Sequence, residues 1–142
     1  MTRDRGRLLA VDYGERRIGL AISDPMGIIA SPAGFIARRA GKRPPIAEII
    51  RRATALEARG FVVGLPLDEE GVDTDRAREV RRLAEDLQRR TGLPVELIDE
   101  RYSTAAALRA IREMGGSTRQ RKGEVDALAA TILLQQALAR NG

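Results

Sequence analysis

Residues 8–23, LLAVDYGERRIGLAIS, decide how the rest of the chain is read. The apolar run that starts at Leu8 ends on a carboxylate, Asp12, and is closed by Gly14, which is the pattern of a buried strand running into a turn. A second strand over residues 18–23 follows at hairpin distance. Residues 28–36, interrupted by Pro32 and Gly34, read as a third, edge-like strand.

The hydrophobic period then changes. Ile46, Ile49, Ile50, Ala53 and Leu56 fall at helical spacing after a loop at 41–45. Residues 61–65, FVVGL, form a fully apolar strand stopped by Pro66. Ala77, Val80, Leu83, Ala84 and Leu87 mark an amphipathic helix whose other side, with Arg78, Arg81, Arg82, Arg89 and Arg90, reads as a solvated face. Gly92 and Pro94 end it, and residues 95–99 form the last strand. A short helix is expected over 104–114. Another is expected over 124–139, apolar on nearly every side and so packed centrally. The order is β-β-β-α-β-α-β-α-α, an α/β fold with a mixed sheet flanked by helices, antiparallel in front and parallel behind. One domain is expected over 1–142, with its core at about 8–138. The remaining polar, Gly-bearing segments are loops at 68–74 and 115–123, the latter the most basic, with Arg112, Arg119, Arg121 and Lys122 in or beside it.

Composition removes whole classes of chemistry. The 142 residues contain no Cys, so there is no disulfide, thiol nucleophile or Cys-ligated metal, and no His, so there is no imidazole base and no His-bound metal. Lys and Arg number 25 against 20 Asp and Glu, and the net charge of +5 favours a polyanionic partner. Aromatic residues are only 3%, which argues against a base-stacking platform. A charged N-terminus without a signal-type segment, and apolar runs shorter than the roughly 18 residues a bilayer requires, predict a soluble cytoplasmic protein with no membrane partner.

The informative residues are acids at element ends. Asp12 closes the first strand, Asp99 and Glu100 close the last, and Asp126 stands in the first turns of the final helix between Val125 and Ala127. An ionised carboxylate at the margin of an apolar core is unfavourable by several kcal/mol unless it is paired or coordinates a cation. Arginine can satisfy it, and so can a metal. If the strand ends lie side by side with the helix above them, the cluster suits Mg²⁺ or Mn²⁺, which prefer carboxylate oxygen. Two such ions about 4 Å apart would activate water against a phosphodiester without any histidine.

Four motifs then stand in order. Asp12-Tyr13-Gly14-Glu15-Arg16-Arg17-Ile18-Gly19-Leu20-Ala21 resembles the D-x-G-x-x-R-I-G-L-A opening of the YqgF/RuvX family. Gly64-Leu65-Pro66-Leu67 with the later Gly71 is similar to its G-L-P strand end and loop. Asp99-Glu100-Arg101-Tyr102-Ser103-Thr104 resembles its D-E-R-x-[ST]-[ST] segment, with Tyr102 where many members carry Leu. Lys122-Gly123-Glu124-Val125-Asp126-Ala127-Leu128-Ala129-Ala130 resembles its K-x-x-x-D-x-x-A-A motif.

The resemblance implies an RNase H-like fold and a metal-dependent endonuclease that matures the 5′ end of precursor 16S rRNA, acting with Mg²⁺ or Mn²⁺, in two ions, beside the small ribosomal subunit. By the same resemblance the catalytic and metal-binding acids fall on Asp12, Glu100 and Asp126, with Asp12 bridging both ions and Asp99 the alternative to Glu100. Gly14, Arg17, Arg101 and Lys122 are the expected substrate contacts. Gly14 is read as supplying the positive φ of a tight turn, with close approach of a phosphate as its second use. Arg17 is read either as a phosphate grip or as the partner of Glu15, Asp12 or another acid, and Arg101 has the same two readings. Ser103 and Thr104 are read as a helix cap. Three rival functions stand beside this one. A Holliday junction resolvase shares the chemistry but needs two sites, hence a homodimer where a trimming enzyme acts as a monomer. A non-catalytic nucleic-acid-binding protein in rRNA processing or transcription would leave the three acids dispensable. An actin-like or Hsp70-like ATPase binds nucleotide between two domains of this kind, and this chain has the length of one.

Overall fold

The computed structural model describes residues 6–38, 43–101, 104, 108 and 119–141 of the chain. Strand β1 (Arg7–Tyr13) turns into β2 (Arg17–Ser23), and β3 (Ala30–Ala37) follows; then come α1 (Ile46–Ala55), β4 (Ala58–Leu65), α2 (Asp75–Thr91), β5 (Val95–Asp99) and α3 (Arg119–Asn141). Most of the helix expected over 104–114, together with Ser103, Arg112 and the loop positions 41–42 and 115–118, lies outside the described residues.

The sheet runs in the order β3-β2-β1-β4-β5. Its front half, β1 with β2 and β2 with β3, is antiparallel, and its back half, β1 with β4 and β4 with β5, is parallel. Parallel neighbours need a crossover, which α1 and α2 supply. Because side chains alternate along a strand, the sheet has two different faces. One face presents Leu9, Val11, Tyr13, Leu20, Phe61, Val63 and Leu65 to the apolar stripes of α1 and α2. The other presents the smaller Ala10, Ala21 and Val62, with Ile98, to Ala130, Leu133, Leu134 and Ala137 of α3. Small residues on that face let α3 settle close to the strands. Burying each Leu, Ile, Val or Phe contributes about 1.5–3 kcal/mol.

Helix α2 ends at Gly92 as its sequence implies, and its start is fixed by a cap. Thr74 Oγ1 accepts the backbone N–H of Ala77, and Gly92 ends the helix in the left-handed region with its N–H on Gln88 O at 2.8 Å. Strand β4 begins at Ala58, three residues before the expected start at Phe61, and two further starts differ from expectation. Strand β3 begins at Ala30 and not at Ile28, because the Asp24 carboxylate accepts the N–H groups of Met26, Ile28 and Ile29 and ties residues 24–29 into a turn. Helix α3 begins at Arg119 and not at Glu124, so Lys122 and Gly123 are helical rather than part of a loop. Gly123 marks a packing contact: the Phe35 ring lies where its Cβ would be.

Candidate functional site

Asp12 pairs with Gly19 across the β1–β2 ladder, and Val11 pairs with Val63, so Gly64 follows beside Asp12 on the other flank. Two residues along from Ala10, Asp12 faces α3, and it is 2% exposed. It therefore sits between two glycines, in a strip of sheet without side chains on either side.

Both gaps are filled by the other two acids. At Gly19 the backbone carbonyl of Asp126 stands where a Cβ would be, which brings α3 down onto β2. At Gly64 the Glu100 carboxylate stands there instead, with Oε2 at 2.6 Å from the Cβ position. Glu100 follows β5, and its side chain reaches back over β4, the strand next to β1, one strand spacing of about 4.8 Å away. Like Asp12, both are 2% exposed. Asp12, Glu100 and Asp126, far apart in sequence, thus lie buried on one face of the sheet.

Period-2 alternation separates Asp99 from Glu100. Ile98 packs toward α3 while Leu97 packs toward α1 and α2, so Glu100 continues on the α3 side and Asp99 on the other. Asp99 is largely solvated and accepts Nη2 of Arg101 at 2.8 Å and its Nε at 3.0 Å. Those hydrogen bonds hold the Asp99 carboxyl below the usual carboxylate range. Arg101 also donates to Glu69 O at 3.2 Å and lies over Gly71, anchoring the 68–73 loop to the end of β5.

Arg17 meets an acid, and the acid is Asp126. Its Nε donates to Oδ2 at 2.8 Å, with the two side chains only 11% and 2% exposed. Lys122 is half-buried one helical turn before Asp126, on the same side of α3. Gly14 corrects an expectation, since its φ is not positive. Its N–H donates to Arg17 O at 3.0 Å, and that same carbonyl lies against its Cα, leaving no room for a Cβ.

Behind the Asp12 turn, on the α1 and α2 face, is a brace that sequence reasoning missed. The Arg38 guanidinium lies 4.4 Å from the centroid of the Tyr13 ring, donates to Gly14 O at 3.1 Å and approaches Glu79 Oε1 at 3.5 Å. The Tyr13 hydroxyl donates to the same Glu79 oxygen at 3.1 Å. Burial pushes the Tyr13 phenol up to about 12, with Glu79 adding to the effect. Nothing in the spacing of residues 13, 38 and 79 announces this network. Gly19 and Gly64 were also passed over as site residues, although a glycine inside a strand signals close approach of another group.

The donor chemistry can be tested against a divalent ion. The ends of β1 and β5 do not lie side by side as expected, because β4 runs between them. Asp12 and Glu100, two buried carboxylates that approach from either side of Gly64, fit a hard, oxygen-seeking cation. Asp126 is engaged by Arg17, and among the described residues no group of three or more acidic side chains is gathered so as to hold a metal ion. No helix among them is long and apolar enough to cross a membrane.

Comparison with known proteins agrees with this architecture. Residues 6–140 match the family model described as "RuvX: Holliday junction resolvase". A protein of Koribacter versatilis (strain Ellin345) named "Putative pre-16S rRNA nuclease" is 41% identical over 137 residues, covering 96% of this chain and 89% of its own. One of the same name from Anaeromyxobacter sp. (strain Fw109-5) is 43% identical over 129 residues, covering 91% and 93%. Among solved structures, T. thermophilus RuvC in complex with a Holliday junction substrate superposes with a TM-score of 0.58 over 97% of both chains, at 14% identity. That likeness gives the fold, which is RNase H-like.

Proposed function

The chain belongs to the RuvX family, and on that premise we propose that it is a metal-dependent endonuclease that hydrolyses phosphodiester bonds, processing the 5′ end of precursor 16S rRNA in the cytoplasm. One observation carries the proposal: Asp12, Glu100 and Asp126, from the first strand, the end of the last strand and the closing helix, are each buried on the same face of the sheet. Mg²⁺ or Mn²⁺ held by Asp12 and Glu100, with Asp126 as a further ligand, would supply an activated water and neutralise charge on the leaving oxygen. The chain's own groups do the rest. Lys122, one turn from Asp126, brings a cation to the nucleic-acid backbone. Gly19 and Gly64, by lacking side chains of their own, leave room beside Asp12 for the Asp126 backbone and the Glu100 carboxylate. The Arg38–Tyr13–Glu79 brace holds the turn that follows Asp12.

The reading is tested with purified protein, Mg²⁺ or Mn²⁺, and a 5′ fragment of precursor 16S rRNA. The expected result is cleavage that Asp12→Asn abolishes while the circular dichroism spectrum is unchanged. Wild-type turnover in that variant would refute it. Paired nicks in a four-way DNA junction, without cleavage of the rRNA fragment, would reassign the substrate to the junction.

A further inference from the structure

Arg17 and Asp126 are 109 positions apart, yet they form a buried, charge-assisted hydrogen bond. Arg17 and Gly19 lie on the same side of β2, two residues apart. Gly19 receives the backbone of Asp126 and Arg17 its carboxylate. The start of α3 is therefore gripped at two points, and the grip fixes where Asp126 points. In this arrangement Asp126 serves a guanidinium and is not gathered with Asp12 and Glu100 around a cation.

A guanidinium that binds a carboxylate is equally suited to a phosphate. If a backbone phosphate takes Arg17, the arginine keeps an anionic partner, and Asp126 can become a cation ligand without being left as an isolated buried charge. Neither exchange is favourable alone, because removing one member of a buried pair strands the other. We propose that Arg17 is a positioning residue that couples the two events: without nucleic acid it holds Asp126 away from the cation site of Asp12 and Glu100, and phosphate binding to Arg17 hands Asp126 to the cation. The coupling rests on the nuclease reading above, and it runs both ways, since the cation must strengthen nucleic-acid binding by the same factor.

The test is Mn²⁺ affinity, read by electron paramagnetic resonance of the free ion, with and without an RNA duplex whose phosphorothioate linkages resist hydrolysis. In the wild type the duplex raises Mn²⁺ affinity about fivefold or more, a typical coupling. In Arg17→Gln the affinity without RNA is already at the raised level, and RNA adds less than about twofold. In Asp126→Asn the affinity without RNA stays within about twofold of wild type and RNA does not raise it. Arg17→Lys, which can hold either anion, keeps the increment. A full wild-type increment in Arg17→Gln would trace the coupling to direct contact between metal and phosphate and overturn the proposal. Should Arg17→Gln fail to fold, a full increment in Asp126→Asn overturns it equally. Mn²⁺ binding by Asp12→Asn at wild-type affinity would instead overturn the cation site, and the nuclease reading with it.

Discussion

Glu100 lays its carboxylate over Gly64, where a methyl group would meet Oε2 at 2.6 Å and both Cδ of Glu100 and Cδ2 of Leu133 at 3.1 Å. Gly64→Ala must therefore push Glu100 aside. The obstructing atoms are side-chain atoms that can swing, so the expected loss of stability is modest, about 1–2 kcal/mol by urea unfolding. Cleavage is expected to fall by about tenfold or more, because the displaced group is one of the acids. A variant that cuts at the wild-type rate would remove Glu100 from the site.

Gly19→Ala is the harsher counterpart. The added Cβ meets the carbonyl of Asp126 and, at 3.0 Å, the backbone N of Ala127, neither of which can rotate away. The whole start of α3 has to lift. About 3 kcal/mol of destabilisation is expected, more than for Gly64→Ala, with both variants measured side by side in urea.

Tyr13 gives the alkaline limb of stability a specific source. An unfolded tyrosine ionises near 10.0, whereas burial holds the folded phenol to about 12. Between those values the unfolded chain has lost a proton that the folded chain keeps, so rising pH favours unfolding. The contribution is intact below pH 10 and is lost progressively toward pH 12, amounting to about 2–3 kcal/mol. Tyr13→Phe should flatten the fall between pH 10 and 12. Near pH 7 the same variant should be about 1 kcal/mol less stable through loss of the bond to Glu79. Urea titrations at pH 7, 9.5 and 11.5 check both expectations.

Thr74 ties the 66–74 loop to α2. Its Oγ1 accepts Ala77 N–H at 3.0 Å and donates to Pro66 O at 2.8 Å, joining the end of the G-L-P segment to the first turn of the helix. Thr74→Ala is expected to lower stability by about 1–2 kcal/mol, and Thr74→Ser to restore most of it. Thermal unfolding of the pair decides.

Where one local rule governed a segment, its structure was legible. The apolar run that ends on Asp12, the switch to helical spacing at Ile46, and the Gly92 and Pro94 signals after α2 reproduce the sheet and its crossovers. Trouble came where two rules competed. Ile28 and Ile29 look like strand, but the Asp24 carboxylate claims their N–H groups for a turn. Gly123 looks like a loop, yet the Phe35 ring needs a helix there with no Cβ. Gly14 looks like a positive-φ position, and is instead a place where the Arg17 carbonyl needs room. The burial of Asp12, Glu100 and Asp126 on one face follows from alternation once Ile98 is assigned to the α3 side. The pairing of Arg17 with Asp126 does not, since no spacing rule connects residues so far apart.

The route of the chain also fixes when these acids can meet. Asp12 belongs to the first strand and Asp126 to the last described helix, so in a nascent polypeptide Asp126 cannot reach the face that carries Asp12 and Glu100 until α3 has been made and has docked. On the proposed nuclease reading this order of assembly is a safeguard: while the chain emerges beside a messenger and a translating particle that are themselves RNA, its acids are not yet in place.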